Sequence, residues 1–230
     1  MSRNNKFTHS FRSLKVTRRF LSASSSSSLN YYGGVMGFND KIYFAPHNGN
    51  QFLEYTPDSN TYRLIDVPIA EINSSGNRYS GGIALPNGKI YFCPCTANRV
   101  LVYDTKSDQC YTIGPDLGTV QFKWLQFTLA PNNCLYAFPY LDGIPFNYNP
   151  RILKVDLSTD IVSGLDLGVP YGVCAGQVLA EDGMIYTAPR NTQTSGPRRI
   201  YKFNPSNETL EIFMTINLSL FCIFPKLGLD

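Results

Sequence analysis

The chain has 230 residues, of which 43% are hydrophobic, 13% aromatic and 16% charged, and its formal net charge is +3. This composition supports a folded core and excludes a low-complexity or highly charged disordered chain. No apolar run approaches the roughly 18 residues of a membrane-spanning helix, which predicts a soluble protein with no membrane partner.

Residues 1–30 differ in kind from the rest. They carry Arg3, Lys6, Arg12, Lys15, Arg18 and Arg19, no acidic residue, and a serine run from Ser24 to Ser28. With those six set aside, 14 basic residues face 17 acidic ones, so the remainder is mildly acidic and no basic face for nucleic acid is expected. A segment rich in Arg and Ser and free of acid reads as an organelle transit peptide, with "RRFLSAS" as a processing region. The alternatives are a solvated basic tail and a poorly defined gene start. The lack of a secretory h-region points to an intracellular, cytoplasmic protein, or a mitochondrial one if the segment is a transit peptide.

From Tyr31 onward the chain repeats itself. "GGVMGFNDKIYFAP" ends at Pro46, "GGIALPNGKIYFCP" at Pro94, "FTLAPNNCLYAFP" at Pro139 and "GQVLAEDGMIYTAP" at Pro189. Each copy keeps Tyr-x-x-Pro, with the tyrosines at 43, 91, 136 and 186. A fixed internal period of this length is the mark of a repeat architecture.

Each unit has period-2 patterning broken by turn residues, which predicts strands rather than helices. A first apolar run meets a tight turn at Asn39-Asp40, Asn87-Gly88, Asn132-Asn133 or Asp182-Gly183, all residues that tolerate positive φ. The Ile-Tyr-Phe stretch is the second strand. "QFLEYT", "RVLVYD", "RILKVD" and "RIYKFN" supply the third, and runs such as "YRLID" and "LEIF" the fourth. The predicted fold is therefore all-β: a β-propeller of four recognisable four-stranded antiparallel blades, at about 31–75, 76–120, 121–170 and 171–216. Residues 217–230 form an atypical tail in which no fifth copy begins. Four is a small number of blades, so the expectation is that they belong to a larger or incomplete propeller, against the alternative that they close by themselves. Open blade edges would promote self-association.

Through the pairs Gly33-Gly34 and Gly81-Gly82 and the aromatic on the following strand, residues 31–216 resemble the broad kelch-like class of β-propellers. The resemblance implies a fold and no functional residue.

The repeated Tyr and Pro read as packing: a ring buried between sheets, and a residue that ends a strand because it lacks a ladder donor. Function is sought where the units differ. In a meander, the loop after the second strand and the loop leading to the next blade share one face, the one propellers use for ligands. His47, Cys95, Tyr140 and Arg190 begin the first set of loops, two of which are enlarged, "YLDGIPFNYNP" and "RNTQTSGPRRI". The other set contributes Arg78 and Tyr79, Lys123 and Trp124, and Tyr171. With Asn48, Asn98, Asp142, Asn191 and Arg198, these make a mixed aromatic and polar surface suited to a protein or glycan-like ligand.

Six cysteines (Cys93, Cys95, Cys110, Cys134, Cys174 and Cys222) sit at unrelated repeat positions and read as buried free thiols of a reducing compartment. His9 and His47 are the only histidines, so no cofactor and no metal site is expected. A non-catalytic interaction module is the leading reading. The alternative is a lyase or hydrolase at the channel mouth, with His or Tyr as acid or base and Arg as anion stabiliser. An enzyme using His47 would need a carboxylate to orient the ring.

Overall fold

The structure is a computed structural model and describes residues 30–68, 70, 72, 76–118, 120, 122–140, 151–167, 174–189 and 198–216. The enlarged loops at 141–150 and 190–197, the basic segment at 1–29 and the tail at 217–230 lie outside them.

Sixteen strands form four antiparallel meanders in chain order, and no α-helix occurs among the described residues. The first blade is β1 (Tyr31–Met36), β2 (Ile42–Pro46), β3 (Gln51–Thr56) and β4 (Thr61–Asp66). The second is β5 (Tyr79–Ala84), β6 (Lys89–Pro94), β7 (Val100–Asp104) and β8 (Gln109–Ile113). The third is β9 (Thr128–Leu129), β10 (Cys134–Ala137), β11 (Ile152–Asp156) and β12 (Ile161–Leu165). The fourth is β13 (Cys174–Leu179), β14 (Ile185–Pro189), β15 (Arg198–Asn204) and β16 (Thr209–Ile216).

Two local details differ from the sequence reading. The glycine pairs lie inside the first strands rather than before them, because the register shifts between Tyr32 and Gly34, between Tyr79 and Gly82, and between Cys174 and Gly176. These bulges bring the inner strands close: a Cβ on Gly33 would stand 3.1 Å from the Ser80 carbonyl oxygen of the next blade. The hairpin turns are three-residue loops rather than two-residue ones. Leu85 N–H donates to Lys89 and Gly88 N–H to Leu85, and only the last loop residue takes positive φ (Asp40 59°, Gly88 93°, Asn133 59°, Gly183 78°).

Three apolar cores join the blades in series. Tyr43, Ala45 and Phe52 of the first blade meet Ile90, Phe92, Leu101 and Tyr103 of the second. Tyr91, Cys93, Val100 and Val102 then meet Leu135, Leu153 and Val155 of the third. Tyr136, Phe138 and Ile152 meet Ile185, Tyr201 and Phe203 of the fourth. Among the described residues no such core joins the fourth blade to the first. Tyr43, Tyr91 and Tyr136 each face the following blade, as a packing residue would, while Tyr186 of the fourth blade lies in none of these cores.

A polar clasp lies beside each core. The turn between the third and fourth strands ends in a left-handed residue: Asn60 (φ 52°), Asp108 (58°), Asp160 (55°) or Glu208 (54°). In the last three, the carboxylate reaches back to the preceding blade. Asp108 accepts two bonds from Arg63, Asp160 accepts from Lys89 and the Tyr91 hydroxyl, and Glu208 accepts from Lys154 and the Tyr136 hydroxyl. Burial pushes the Tyr43 hydroxyl up to about 12 and raises those of Tyr91 and Tyr136, so all three stay protonated donors at neutral pH.

Candidate functional site

One end of the blades carries the loops that follow the second strands and those that lead into the next blade. A string of backbone hydrogen bonds crosses it. The His47 N–H donates to Asn30 (2.9 Å), Arg78 to His47 (2.7 Å), Cys95 to Arg78 (2.7 Å), Lys123 to Cys95 (2.9 Å) and Tyr140 to Lys123 (2.8 Å). Each pre-strand residue is thus threaded between two neighbouring blades.

Several residues expected on a ligand surface are instead spent on holding this end together. Tyr79 is 0% exposed in the core between the first two blades, and its hydroxyl donates to the Arg99 carbonyl. Trp124 is 3% exposed in the next core, with its indole N–H donating to the Arg151 carbonyl at 2.9 Å. Their rings are not available to a ligand. Patterning puts Tyr79 in a loop because the bulged β5 begins two residues before the glycine pair, whereas Trp124 stands outside the strands and pairs with Pro139 through an isolated bridge.

Arg78 is buried, its Nη1 donating to the carbonyls of Asn48 and Gly49 at 3.0 Å each, and its Nε lies buried with no hydrogen-bond partner among the described residues. Asn48 is half-buried and accepts the Asn77 N–H at 2.8 Å. Asn98 is buried, and its carbonyl accepts the Leu117 N–H. His47 is buried too: its Nδ1 lies 2.9 Å from the Tyr79 carbonyl oxygen and its ring stacks on Tyr32 at 5.1 Å. A backbone carbonyl, rather than a carboxylate, fixes that ring.

Lys123, a loop residue by sequence patterning, is the most committed side chain here. Its Nζ donates towards the carbonyls of Thr96 (3.1 Å), Ala97 (3.0 Å), Gly118 (2.7 Å) and Val120 (3.4 Å). Burial pulls its ammonium down to about 8. Burial also raises the neighbouring thiols of Cys93 and Cys95, which leaves them poor nucleophiles. The five described cysteines are free, and Cys222 lies outside the described residues. Among the described residues no group of three His, Cys, Asp or Glu is placed to hold a metal.

What remains at the face is a small aromatic ledge. Tyr140 is half-buried and meets Phe122 edge-on, with ring centroids 6.5 Å apart. Phe122 holds φ at 55°, a left-handed backbone that costs a bulky residue on the order of 1–2 kcal/mol. Sequence reasoning missed Phe122, since nothing in a single phenylalanine signals positive φ. Asp142, Tyr171, Arg190 and Asn191 lie outside the described residues, and Arg198 begins β15.

No family profile and no curated protein sequence matches the chain. Solved structures do, at the level of fold. Virginiamycin B lyase from Staphylococcus aureus is 15% identical, with a TM-score of 0.57 over 83% of this chain and 57% of that one. The extracellular domain of a one-component system from B. thetaiotaomicron is 14% identical (TM-score 0.56; 83% of this chain, 22% of that one). The extracellular domain of a hybrid two-component system from the same organism is 13% identical (0.54; 81% and 25%). The chain thus spans well under two thirds of each of these structures. The likeness supports the β-propeller fold and does not single out the kelch-like class. The extracellular neighbours overturn the expectation of an intracellular, cytoplasmic protein, which rested on unpaired thiols and a missing secretory signal.

Proposed function

We propose that the chain is a non-catalytic propeller scaffold whose loop face binds a protein or glycan-like ligand around Phe122 and Tyr140. The observation that carries this reading is the division of labour at that face. The groups an enzyme would use as acid, base or anion stabiliser, His47, Lys123 and Arg78, are buried and bonded to backbone carbonyls. The aromatic pair on the same face is partly open, and Phe122 is held in a left-handed backbone at a cost. Aromatic rings supply contact area for sugars and peptides, and the half-buried Asn48 amide on the same face can supply orientation.

A glycan and peptide array with the 230-residue chain tests it. Hits that fall at least about tenfold in affinity on Tyr140→Ala or Phe122→Ala, with an unchanged melting temperature, are the expected result. Hits indifferent to both changes, or no hits, count against the reading.

A further inference from the structure

The two terminal blades each keep one face that every internal junction covers. On the first blade it is the face turned away from the second, where Met36, Tyr62 and Leu64 are 56%, 53% and 43% exposed. By register, Met36 stands beside Ile42, Leu64 beside Leu53 and Tyr62 beside Tyr55. Ile42, Leu53 and Tyr55 occupy the repeat positions of Ile90, Leu101 and Tyr103, which are buried at the first junction. On the fourth blade the open face carries Val178 (62% exposed) and Phe213 (52%) beside Tyr186. Tyr186 occupies the position of Tyr43, Tyr91 and Tyr136, each of which is fully buried against a following blade.

The polar groups at these two faces are complementary in a way the internal junctions are not. Inside the chain, the preceding blade offers an amide (Asn39 or Asn132, donating to its Tyr hydroxyl) and the following blade offers an acid (Asp108, Asp160 or Glu208). At the open faces the two are exchanged. The fourth blade has Asp182, accepting from the Tyr186 hydroxyl at 2.8 Å, with Lys202 across from Tyr186. The first blade has the neutral Asn60 at the left-handed turn position where the others carry the acid. An acid at both places would repel, and here neither pairing of like charges arises.

We propose that the open face of the fourth blade docks on the open face of the first blade of a second copy of this chain, repeating the internal junction between molecules. Asn60 of the incoming copy enters the place of Glu208, with its Nδ2 donating to Asp182 and its Oδ1 accepting from Lys202. Because the two faces differ, the association is head-to-tail. It closes into a ring when the copies complete a turn and otherwise extends.

Size-exclusion with light scattering on the 230-residue chain, across a micromolar concentration range, reads the association. Assemblies of two or more copies are expected. A monomer of 25.8 kDa overturns the proposal, whether residues 1–29 or 217–230 or something else covers the faces. Phe213→Asp and Leu64→Asp, both at exposed positions, distinguish head-to-tail from face-to-like-face pairing. Each variant alone should be monomeric, and an equal mixture should form a heterodimer through the two unaltered faces. Persistence of either variant alone as a wild-type assembly overturns the proposal. The exchange itself has its own test, one that leaves the apolar surface intact. Asn60→Asp should weaken association at least about tenfold by facing Asp182, and adding Asp182→Asn should restore it, since the pair then matches the internal pattern. Asp already occupies the equivalent turn at 108 and 160, so the fold accepts it. No weakening by the single change, or no rescue by the second, overturns the assignment of these residues.

Discussion

Arg63 and Glu54 form a two-point ion pair across β3 and β4, with Nε–Oε1 at 3.1 Å and Nη2–Oε2 at 3.0 Å, while the same guanidinium reaches Asp108 of the next blade at 2.9 Å. The two acids are not equivalent. The Glu54 side chain is 4% exposed and that of Asp108 57%. Removing Arg63 leaves a buried carboxylate with Lys41 as its remaining cation, which should cost about 3–5 kcal/mol, whereas Asp108→Ala should cost under about 1 kcal/mol. Urea melts of Arg63→Ala and Asp108→Ala check the ranking. Equal effects would show that Glu54 is not held as described.

The same junction has an acid limit. The Arg63 guanidinium, with the Tyr103 hydroxyl, holds the Asp108 carboxyl down to about 2 against an unfolded value near 3.8. A depressed folded value means the stability is fully present above about 3.8 and is lost as pH falls towards about 2. The difference in melting temperature between wild type and Asp108→Asn should therefore shrink between those values. A constant difference across that range counts against it.

Lys123 gives a slope of the same sign in the alkaline range. Its folded ammonium is pulled down to about 8 by burial, from 10.5 unfolded. Between those values the unfolded chain binds more protons, so wild-type stability should rise with pH relative to Lys123→Met, by at most about 1.4 kcal/mol per pH unit. At pH 7 the substitution should nonetheless destabilise, because the carbonyls of Thr96, Ala97 and Gly118 lose their donor. Melts at pH 7, 8 and 10 separate the two effects, and a flat difference would refute the burial of a titrating amine.

Gly114 and Gly118 share positive φ, at 87° and 72°, but not surroundings. A Cβ on Gly114 would lie 2.6 Å from Cβ of Val162 in the third blade, while one on Gly118 has nothing within 4 Å. Gly118→Ala should cost about 1 kcal/mol from backbone strain alone, and Gly114→Ala about 1–3 kcal/mol more from overpacking. Denaturant midpoints compare them directly.

Phe122→Gly is the sharpest probe of the ledge. Glycine relieves the left-handed strain, so the melting temperature should stay level or rise, while binding of any array hit falls. A large drop in stability would mean that the ring is held for packing.

The sequence was informative where the same physics recurs in each unit. Tyr43, Tyr91 and Tyr136 are buried at three successive junctions, and their common spacing made that visible. The acids of the clasp were harder to see. Asp108, Asp160 and Glu208 end turns spelled differently, "TKSD", "STD" and "PSNE", and their partners are an Arg on a fourth strand, a Lys on a second and a Lys on a third. No fixed offset links donor to acceptor, so only the fold brings them together. Tyr79 and Trp124 were misplaced for other reasons: a bulge shifts where β5 begins, and Trp124 pairs with Pro139 through an isolated bridge outside any strand, neither of which one-dimensional patterning registers.

The string that ties His47, Arg78, Cys95, Lys123 and Tyr140 from blade to blade is made of main-chain groups alone. What the string itself draws on is an N–H and a C=O, which nineteen amino acids supply alike, whatever the side chains of Arg78 and Lys123 add to it. That is why an imidazole, a thiol and a phenol can stand at matching places without disturbing the frame. One exclusion is therefore shared by all five positions, proline, whose missing N–H would cut the string. Where a side chain on the string reaches outward, as at Tyr140, its chemistry can change while the main-chain frame keeps its shape.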